Sequence, residues 1–254
     1  MDKIANHVRE VVAVRRREMP PSALRDRSLF SLPCRGFEDS LRGDSRRIIA
    51  EVKRASPSKG LIRKDFDAVE IAKGFAANGA SALSVLTEER FFQGSLLYLE
   101  QVKKEVSLPL LRKDFILDGY QLLEARSFGA DAVLFITALL DPVLLQELND
   151  QARSLSLDTL VEVHTEADLE SALKSGARLI GINNRDLQTF EVKLETTERL
   201  MPMIPPEILV VCESGIEGLE QVRRLEDLGI HVFLVGEALM RAPDPGQKLK
   251  ELLN

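Results

Sequence analysis

Two opposite charges, Glu51 and Lys53, lie in a segment that otherwise has the character of a buried strand. By the alternation of a strand, both would share the face opposite Ala50 and Val52. A carboxylate and an ammonium in a strand buried on both faces are costly unless they are paired or solvated. They also precede a Ser-Pro-Ser-Lys-Gly loop, at the end of the strand where parallel sheets bind ligands. The pair therefore predicts either a structural ion pair or one part of an active site.

Other apolar runs of the chain also end in polar side chains. These strand-end residues are Lys113, Glu162, Asn183, Arg185 and Glu213. A single charged group at the end of a strand usually begins a solvated loop. Several lysines, carboxylates and an asparagine on one rim are hard to explain by stability alone, because buried charges destabilise a fold unless they are paired. Together they predict an acid–base site.

Two further ionisable residues in these segments have other expected roles. Arg112 alternates with Lys113 along the third run, so we expect Arg112 to point outward to a helix and to form an ordinary ion pair. His164 follows Glu162 at the start of a loop. A solvated or hydrogen-bonded histidine is expected there, rather than a catalytic base.

The loops after the last two apolar runs predict a phosphate site. Ser214-Gly215 follows the seventh run and Gly236-Glu237 follows the eighth. In barrels of parallel strands these loops commonly bind phosphate through backbone N–H groups, and glycine permits a close approach. Ser56 can add a hydroxyl group. A carboxylate facing a dianion would be repelled, so we expect Glu237 to point its N–H inward and its side chain away.

The elements that must position these residues form a regular alternation. The apolar, mostly β-branched runs are 48–53, 82–86, 109–113, 131–136, 159–163, 179–183, 208–213 and 231–236. Segments with helical periodicity lie between them, including 67–77, 120–128 and 142–154. Eight such units in 254 residues predict a single-domain α/β fold, a (β/α)8 TIM barrel over 48–254. Residues 1–47 are expected to form an N-terminal helical extension packed on the barrel.

The composition narrows the classes of function. A hydrophobic content of 44% and a charged content of 29% are ordinary for a globular protein. No apolar run approaches the roughly 18 residues of a membrane span, and the N-terminus lacks a signal-peptide core. With two cysteines, a cytoplasmic location is expected. The net charge of −6 argues against nucleic acid as a partner. We expect no membrane partner and a monomer or weak homo-oligomer.

In these residues the chain resembles the indole-3-glycerol phosphate synthases of tryptophan biosynthesis. The motifs that carry the resemblance are Ile48-Ile-Ala-Glu-Val-Lys-Arg-Ala-Ser-Pro-Ser-Lys-Gly60, Ser84-Val-Leu-Thr-Glu88, Phe92-Gln-Gly-Ser95, Leu111-Arg-Lys-Asp-Phe115, Leu160-Val-Glu-Val-His164, Gly181-Ile-Asn-Asn-Arg-Asp-Leu187, Glu213-Ser-Gly-Ile216 and Val235-Gly-Glu-Ala-Leu-Met240. They occur in order and at the expected spacings. Asn184 and Glu237 occupy positions at which the family tolerates variation.

The resemblance implies a lyase that converts 1-(2-carboxyphenylamino)-1-deoxyribulose 5-phosphate to indole-3-glycerol phosphate by ring closure, decarboxylation and dehydration. No cofactor and no metal are expected. By resemblance, Lys113 is the general acid at the carbonyl oxygen, provided that its surroundings bring its pKa toward neutrality. Lys53 would bind the substrate carboxylate or act as a second acid, with Glu51 holding it. Glu162 would serve the dehydration.

The resemblance also assigns the remaining residues of the site. Asn183 and Glu213 would orient the substrate hydroxyls and the lysines. The residues expected to bind substrate are Ser56, Phe92, Phe115, Leu134, Arg185, Ser214, Gly215, Gly236 and Glu237. Among them, Phe92, Phe115 and Leu134 would form the slot for the aromatic ring. The alternatives are another phosphate-binding barrel enzyme, such as a sugar-phosphate isomerase or epimerase, and a non-catalytic barrel subunit.

Overall fold

Eight parallel strands close into a barrel in the computed structural model, which describes residues 2–186 and 189–254. Leu187 of the quoted motifs lies outside the described residues. The strands are β1 (Arg47–Val52), β2 (Ala82–Leu86), β3 (Leu110–Lys113), β4 (Ala132–Ile136), β5 (Asp158–Val163), β6 (Leu179–Asn183), β7 (Leu209–Glu213) and β8 (Val232–Val235). Each strand pairs with its neighbours in the chain, and β1 pairs with β8 to close the ring. The predicted (β/α)8 barrel is confirmed.

Helices cover the outside of the barrel, and the first three helices precede β1 in the chain. They are α1 (Asp2–Glu18), α2 (Pro21–Arg25), α3 (Phe37–Ser40), α4 (Ala68–Ala77), α5 (Leu96–Glu105), α6 (Gly119–Ser127), α7 (Pro142–Ser154), α8 (Glu166–Lys174), α9 (Glu195–Leu200), α10 (Leu219–Glu226), α11 (Glu237–Arg241) and α12 (Pro245–Leu253). Helix α7 begins where Asp141 accepts hydrogen bonds from Val143 and Leu144 and Pro142 occupies the first turn. None of the described helices is long and apolar enough to cross a membrane.

The interior of the barrel explains where the polar residues lie. Ile49, Leu111, Leu160 and Val211 pack together inside the barrel. Because side chains alternate along a strand, the residue two positions further on points to the same interior. Those next residues are Glu51, Lys113, Glu162 and Glu213, and Asn183 follows Gly181 in the same way. The polar set is therefore the uppermost interior layer, at the carboxyl ends of the strands.

The N-terminal segment touches both ends of the barrel. Phe37 and Leu41, from α3 and the residue after it, are fully buried and belong to the interior cluster. Helix α1 instead reaches the opposite rim. His7 packs edge-on against Phe91 at a centroid distance of 5.9 Å, and Ile4 lines the cavity at the carboxyl ends of the strands. The segment therefore closes the floor of the barrel and contributes to its mouth.

Arg112 points outward, as its alternation with Lys113 predicts. It forms a buried network with two carboxylates, however, and not the ordinary ion pair that was expected. Its guanidinium is fully buried between β3 and α6. It lies 3.0 Å from Asp114 and 3.1 Å from Glu124, and it donates to the carbonyl of Gln121 at 2.7 Å. Removing one partner of such a buried network leaves an uncompensated charge. Arg112 therefore fixes the backbone that carries Lys113.

Candidate active site

A cavity of about 660 Å³ opens at the carboxyl ends of the eight strands. Every residue that the sequence predicted for the site lines this cavity. They are Glu51, Lys53, Ser56, Phe92, Lys113, Phe115, Leu134, Glu162, Asn183, Arg185, Glu213, Ser214, Gly215, Gly236 and Glu237. The structure thus brings the predicted set together in one place, while the role of each member stays a prediction. Among the described residues, no group of three or more histidine, cysteine, aspartate or glutamate side chains is placed to hold a metal ion.

Lys113 lies between two carboxylates on the floor of the cavity. Its Nζ donates to Glu162 Oε2 and to Glu213 Oε2, each at 3.0 Å. The two glutamates are 1% and 2% exposed, whereas the side chain of Lys113 retains 14% exposure. The ammonium is therefore the accessible member of the trio, and a ligand in the cavity can reach it.

The trio shifts the pKa of each of its members. Burial, together with the charges of Glu162 and Glu51, raises the pKa of Glu213 to about 8 against the opposing pull of Lys113. Burial also acts to raise the pKa of Glu162, but Lys113 and then His164 lower it below its ordinary value. One carboxylate is therefore ionised near neutral pH and the other carries a proton.

The condition set for Lys113, that its surroundings bring its pKa toward neutrality, is not met. Burial alone would lower it, but the charges of Glu162, Glu213 and Glu51 together raise it above its ordinary value. The sequence places these carboxylates on separate strands, and only the closed barrel brings all three to one ammonium. Lys113 is therefore fully protonated at neutral pH.

Glu51 and Lys53 form a pair on the wall of the cavity beside β8. The Lys53 ammonium donates to the Glu51 carboxylate. The pair has space because Gly236 lacks a side chain there. A Cβ at Gly236 would meet the Glu51 carboxylate and would lie 3.0 Å from Lys53 Nζ. Gly181 on β6 makes room for the Glu213 carboxylate in the same way. Two glycines on the barrel wall thus accommodate two buried carboxylates.

The loop after β7 adopts a left-handed backbone. Ser214 has a φ of 65° and Gly215 a φ of 85°. The residue that holds this turn is Asn184, for which the sequence predicted no role. Its Nδ2 donates to the carbonyls of Glu213 at 3.1 Å and Ser214 at 3.2 Å, and its Oδ1 accepts from Thr197 at 2.8 Å. The repeated asparagine in Gly-Ile-Asn-Asn-Arg was the available signal.

Glu237 does not point away from the site, as the sequence analysis expected. Its carboxylate lies 3.2 Å from Arg185 Nη2, 3.5 Å from Lys59 Nζ and 3.3 Å from Arg241 Nε. These three cations compensate the charge that was expected to drive the side chain outward. Arg185 is thereby linked by an ion pair to the first turn of α11. Lys59, in the loop after β1, is linked to the same turn.

Lys59 belongs to a short hairpin over the edge of the cavity. The strands of this hairpin are Ala55–Ser56 and Gly60–Leu61. Further along the loop, Arg63 Nη1 donates to the carbonyl of Ala242 at 3.0 Å. These contacts join the loop after β1 to the loop and helix after β8, and they bring Ser56 to the cavity wall.

Apolar side chains line the side of the cavity formed by the loops after β2 and β3. The rings of Phe92 and Phe115 lie 5.9 Å apart at a tilt of 43°, and Leu134 and Ile4 line the same cavity. An aromatic ring placed against tilted phenylalanines gains both burial and favourable ring contacts. This part of the cavity can therefore take a planar apolar group while Lys113 meets a polar one.

The observed surroundings of His164 differ from those predicted. Among the described residues, neither of its ring nitrogens has a hydrogen-bond partner, and both are inaccessible to solvent. Its Nε2 lies 3.5 Å from Glu162 Oε1. The two ring nitrogens are therefore neither solvated nor hydrogen-bonded. The ring lies against Oε1, the oxygen of Glu162 that Lys113 does not contact.

Comparisons with known proteins agree with the resemblance. A family model described as indole-3-glycerol phosphate synthase matches residues 1–252. Curated proteins with that name include one from Dehalococcoides mccartyi strain CBDB1, 56% identical over 84% of this chain and 83% of that protein. Another, from Polaromonas naphthalenivorans, is 49% identical over 96% of this chain and 97% of its own. A third, from Burkholderia ambifaria strain MC40-6, is 48% identical over 99% and 98%.

Solved structures add evidence for the fold alone. The 3-hexulose-6-phosphate synthase of Salmonella typhimurium superposes with a TM-score of 0.66 at 15% identity, covering 82% of this chain and 96% of that one. A structure titled KGPDC from Streptococcus mutans gives 0.64 at 12% identity, covering 82% and 95%. At such identities the shared barrel says nothing about a shared reaction.

Proposed function

Since the chain belongs to the indole-3-glycerol phosphate synthase family, we propose that Lys113 is the general acid of its reaction and Glu162 the carboxylate that serves the dehydration. The enzyme converts 1-(2-carboxyphenylamino)-1-deoxyribulose 5-phosphate to indole-3-glycerol phosphate in tryptophan biosynthesis. An aromatic carbon attacks the ribulose carbonyl, CO₂ leaves, and loss of water completes the indole.

One observation carries this assignment: the accessible ammonium of Lys113, held at 3.0 Å from each of two buried carboxylates. As the carbon–carbon bond forms, the carbonyl oxygen becomes an alkoxide, which is far more basic than an amine. A fully protonated lysine can therefore donate to it even with a raised pKa. The ring of the substrate would lie against Phe92 and Phe115 during this step.

The dehydration needs a base that is ionised before it acts. Glu162 meets this requirement, because Lys113 and His164 hold its pKa below the ordinary value against the effect of burial. We assign it the proton that the ring system gives up when the hydroxyl leaves as water. Asn183, beside it on β6, would orient the substrate hydroxyls.

The anionic ends of the substrate need separate anchors. The left-handed turn at Ser214-Gly215 and the backbone at Gly236-Glu237 would bind the phosphate through N–H groups, with Ser56 adding a hydroxyl. Lys53 lies between Glu51 and Gly236, next to this end of the cavity. Its position favours a substrate-binding role over that of a second acid.

We predict that Lys53→Met acts mainly on binding. Loss of one charge-assisted contact to a substrate anion should raise KM by about 10- to 100-fold, with kcat reduced by less than about tenfold. Steady-state kinetics that follow the fluorescence of the indole product measure both constants. As a control, Lys174→Met removes an exposed lysine of α8 that pairs with Glu170. An unchanged KM with a kcat about 10³-fold lower would identify Lys53 as an acid instead.

We also propose that residues 1–47 and 48–254 form one domain that works in the cytoplasm. The N-terminal segment buries Phe37 and Leu41 in the barrel, which supports a single folding unit. The net charge of −6 gives no general attraction to a phosphate backbone, so no nucleic-acid partner is proposed. We propose a monomer or weak homo-oligomer.

A further inference from the structure

His164 is a partly buried titratable group to which the proposed reaction assigns no step of its own. It lies at the end of β5, two residues after Glu162, on the same side of the strand. Its Nε2 is 3.5 Å from Glu162 Oε1, while Glu162 Oε2 accepts from Lys113 at 3.0 Å. The carboxylate is thus flanked on its two oxygens by two different nitrogen groups.

An imidazole in this position has a cost that packing does not explain. Neither ring nitrogen has a hydrogen-bond partner among the described residues, and both are closed off from solvent. Polar atoms buried without partners destabilise a fold, so an apolar side chain of similar size would serve better if the ring only filled space. The separation of 3.5 Å between Nε2 and Glu162 Oε1 is only slightly longer than a hydrogen bond.

That contact becomes important when Lys113 acts. Lys113 donates one N–H to each glutamate, which leaves its third N–H for the carbonyl oxygen. Once that proton is transferred, Lys113 is a neutral amine, and the Glu162 carboxylate loses the positive charge beside Oε2. We propose that His164 is a positioning residue that holds Glu162 through Nε2–H to Oε1 while Lys113 is engaged with the substrate. This inference rests on the proposed role of Glu162.

The surroundings of the ring are consistent with this role. Asp168 of α8 accepts from the backbone N–H of His164 at 3.1 Å, and Arg199 of α9 donates to its carbonyl at 3.3 Å. Arg199 also lies 3.5 Å from Glu166. These groups bind the backbone of His164 or each other. Among Glu162, Glu166 and Asp168, it is Glu162 whose carboxylate lies against the ring itself.

Three substitutions separate positioning from simple packing. His164→Leu keeps the approximate volume and removes the donor, so kcat should fall at least tenfold with KM within about twofold. His164→Gln places an amide N–H near the position of Nε2 and should recover most of kcat. His164→Asn reaches only as far as Nδ1 and should not.

The pH profile gives a readout that a packing role would not move. The imidazole favours the ionised form of Glu162, so its loss should raise the pKa of that base. The acid limb of kcat/KM in His164→Leu should therefore lie at higher pH than in the wild type. His231→Leu is the control, since His231 precedes β8 at the opposite end of the barrel and should leave the profile unchanged.

Glu162→Gln keeps this test separate from that of the proposed function. If Glu162→Gln retains wild-type kcat, the role of Glu162 itself is wrong. If Glu162→Gln is inactive while His164→Leu keeps kcat within twofold and an unshifted profile, only the inference about His164 is overturned. Should His164→Leu fail to fold, the glutamine and asparagine variants decide: a clear advantage for glutamine supports positioning, and equal losses contradict it.

Discussion

At the scale of single residues, the site shares one ammonium between two buried carboxylates. Lys113 contacts Glu162 and Glu213 at equal distances, yet the pKa of Glu162 is lowered and burial raises that of Glu213 to about 8. Glu213 Oε1 also lacks a hydrogen-bond partner among the described residues, so an ionised carboxylate would have a buried oxygen without a donor. Two carboxylates with different protonation states can take different parts in one reaction.

Glu213 should leave a signature in the dependence of stability on pH. Its pKa is raised from 4.5 to about 8 in the folded protein, so the folded state binds more protons than the unfolded state between these values. Its contribution to stability is complete below about pH 4.5 and is lost as the pH rises through 8. Glu213→Gln cannot titrate, so its free energy of unfolding relative to the wild type should increase by about 4 kcal/mol between pH 5 and 8.5.

Urea denaturation of both proteins at several pH values measures this difference. Glu147→Gln is the matched control, because Glu147 is exposed on α7 and its substitution should give a curve parallel to the wild type. If the Glu213→Gln curve is also parallel, Glu213 is ionised in the folded protein across the range, and the assignment of protonation states in the trio is wrong.

The properties of individual residues were the hardest to predict from sequence. All predicted site residues line one cavity, because strand alternation and chain order determine which side chains point inward at the top. The orientation of Glu237 was not predictable, since it depends on Lys59, Arg185 and Arg241 from three different segments. The raised pKa of Lys113 depends likewise on carboxylates from three strands.

At the scale of elements, several strands each contribute one polar side chain to the uppermost interior layer of the barrel. The predicted strands agree with the observed ones to within one residue at each end, because apolar β-branched runs between helical segments are strong local signals. Loop contacts such as Asn184 with Thr197, and Arg63 with Ala242, join residues that are distant along the chain or lie in different loops. Local periodicity contains no information about such contacts, and these were the parts that sequence analysis missed.

The barrel wall itself should be sensitive where glycine makes room for a carboxylate. In Gly236→Ala, the new Cβ would meet the Glu51 carboxylate and lie 3.0 Å from Lys53 Nζ. The φ of Gly236 is −126°, so alanine causes no backbone strain there. Displacement of the pair should lower kcat/KM by about 10²-fold, with the fold retained.

Gly74→Ala in α4 is the control for this experiment. Among the described residues, no atom outside the local helix backbone lies within 4 Å of a Cβ built at Gly74, so alanine should fit freely. It should raise the free energy of unfolding by about 0.5–1 kcal/mol and leave kcat/KM unchanged. Wild-type kcat/KM in Gly236→Ala would show that the position of the Glu51–Lys53 pair does not matter to the reaction.

At the scale of the whole molecule, the barrel separates stability from chemistry. Buried groups below and outside the site hold the fold, among them Phe37 on the floor and Arg112 behind β3. The upper interior layer carries charges that the fold would not need. Although the protein as a whole has a net charge of −6, local cations such as Lys53, Lys113 and Arg185 face the cavity that takes an anionic substrate.

The central claim is that Lys113 donates the proton on which ring closure depends. The most direct measurement is the single-turnover rate of indole formation by Lys113→Met, with substrate affinity determined separately by titration. The rate should fall by at least about 10²-fold while the dissociation constant changes by less than about threefold, because the proton is needed only in the transition state. A single-turnover rate within tenfold of the wild type, with binding intact, would show that another group is the acid.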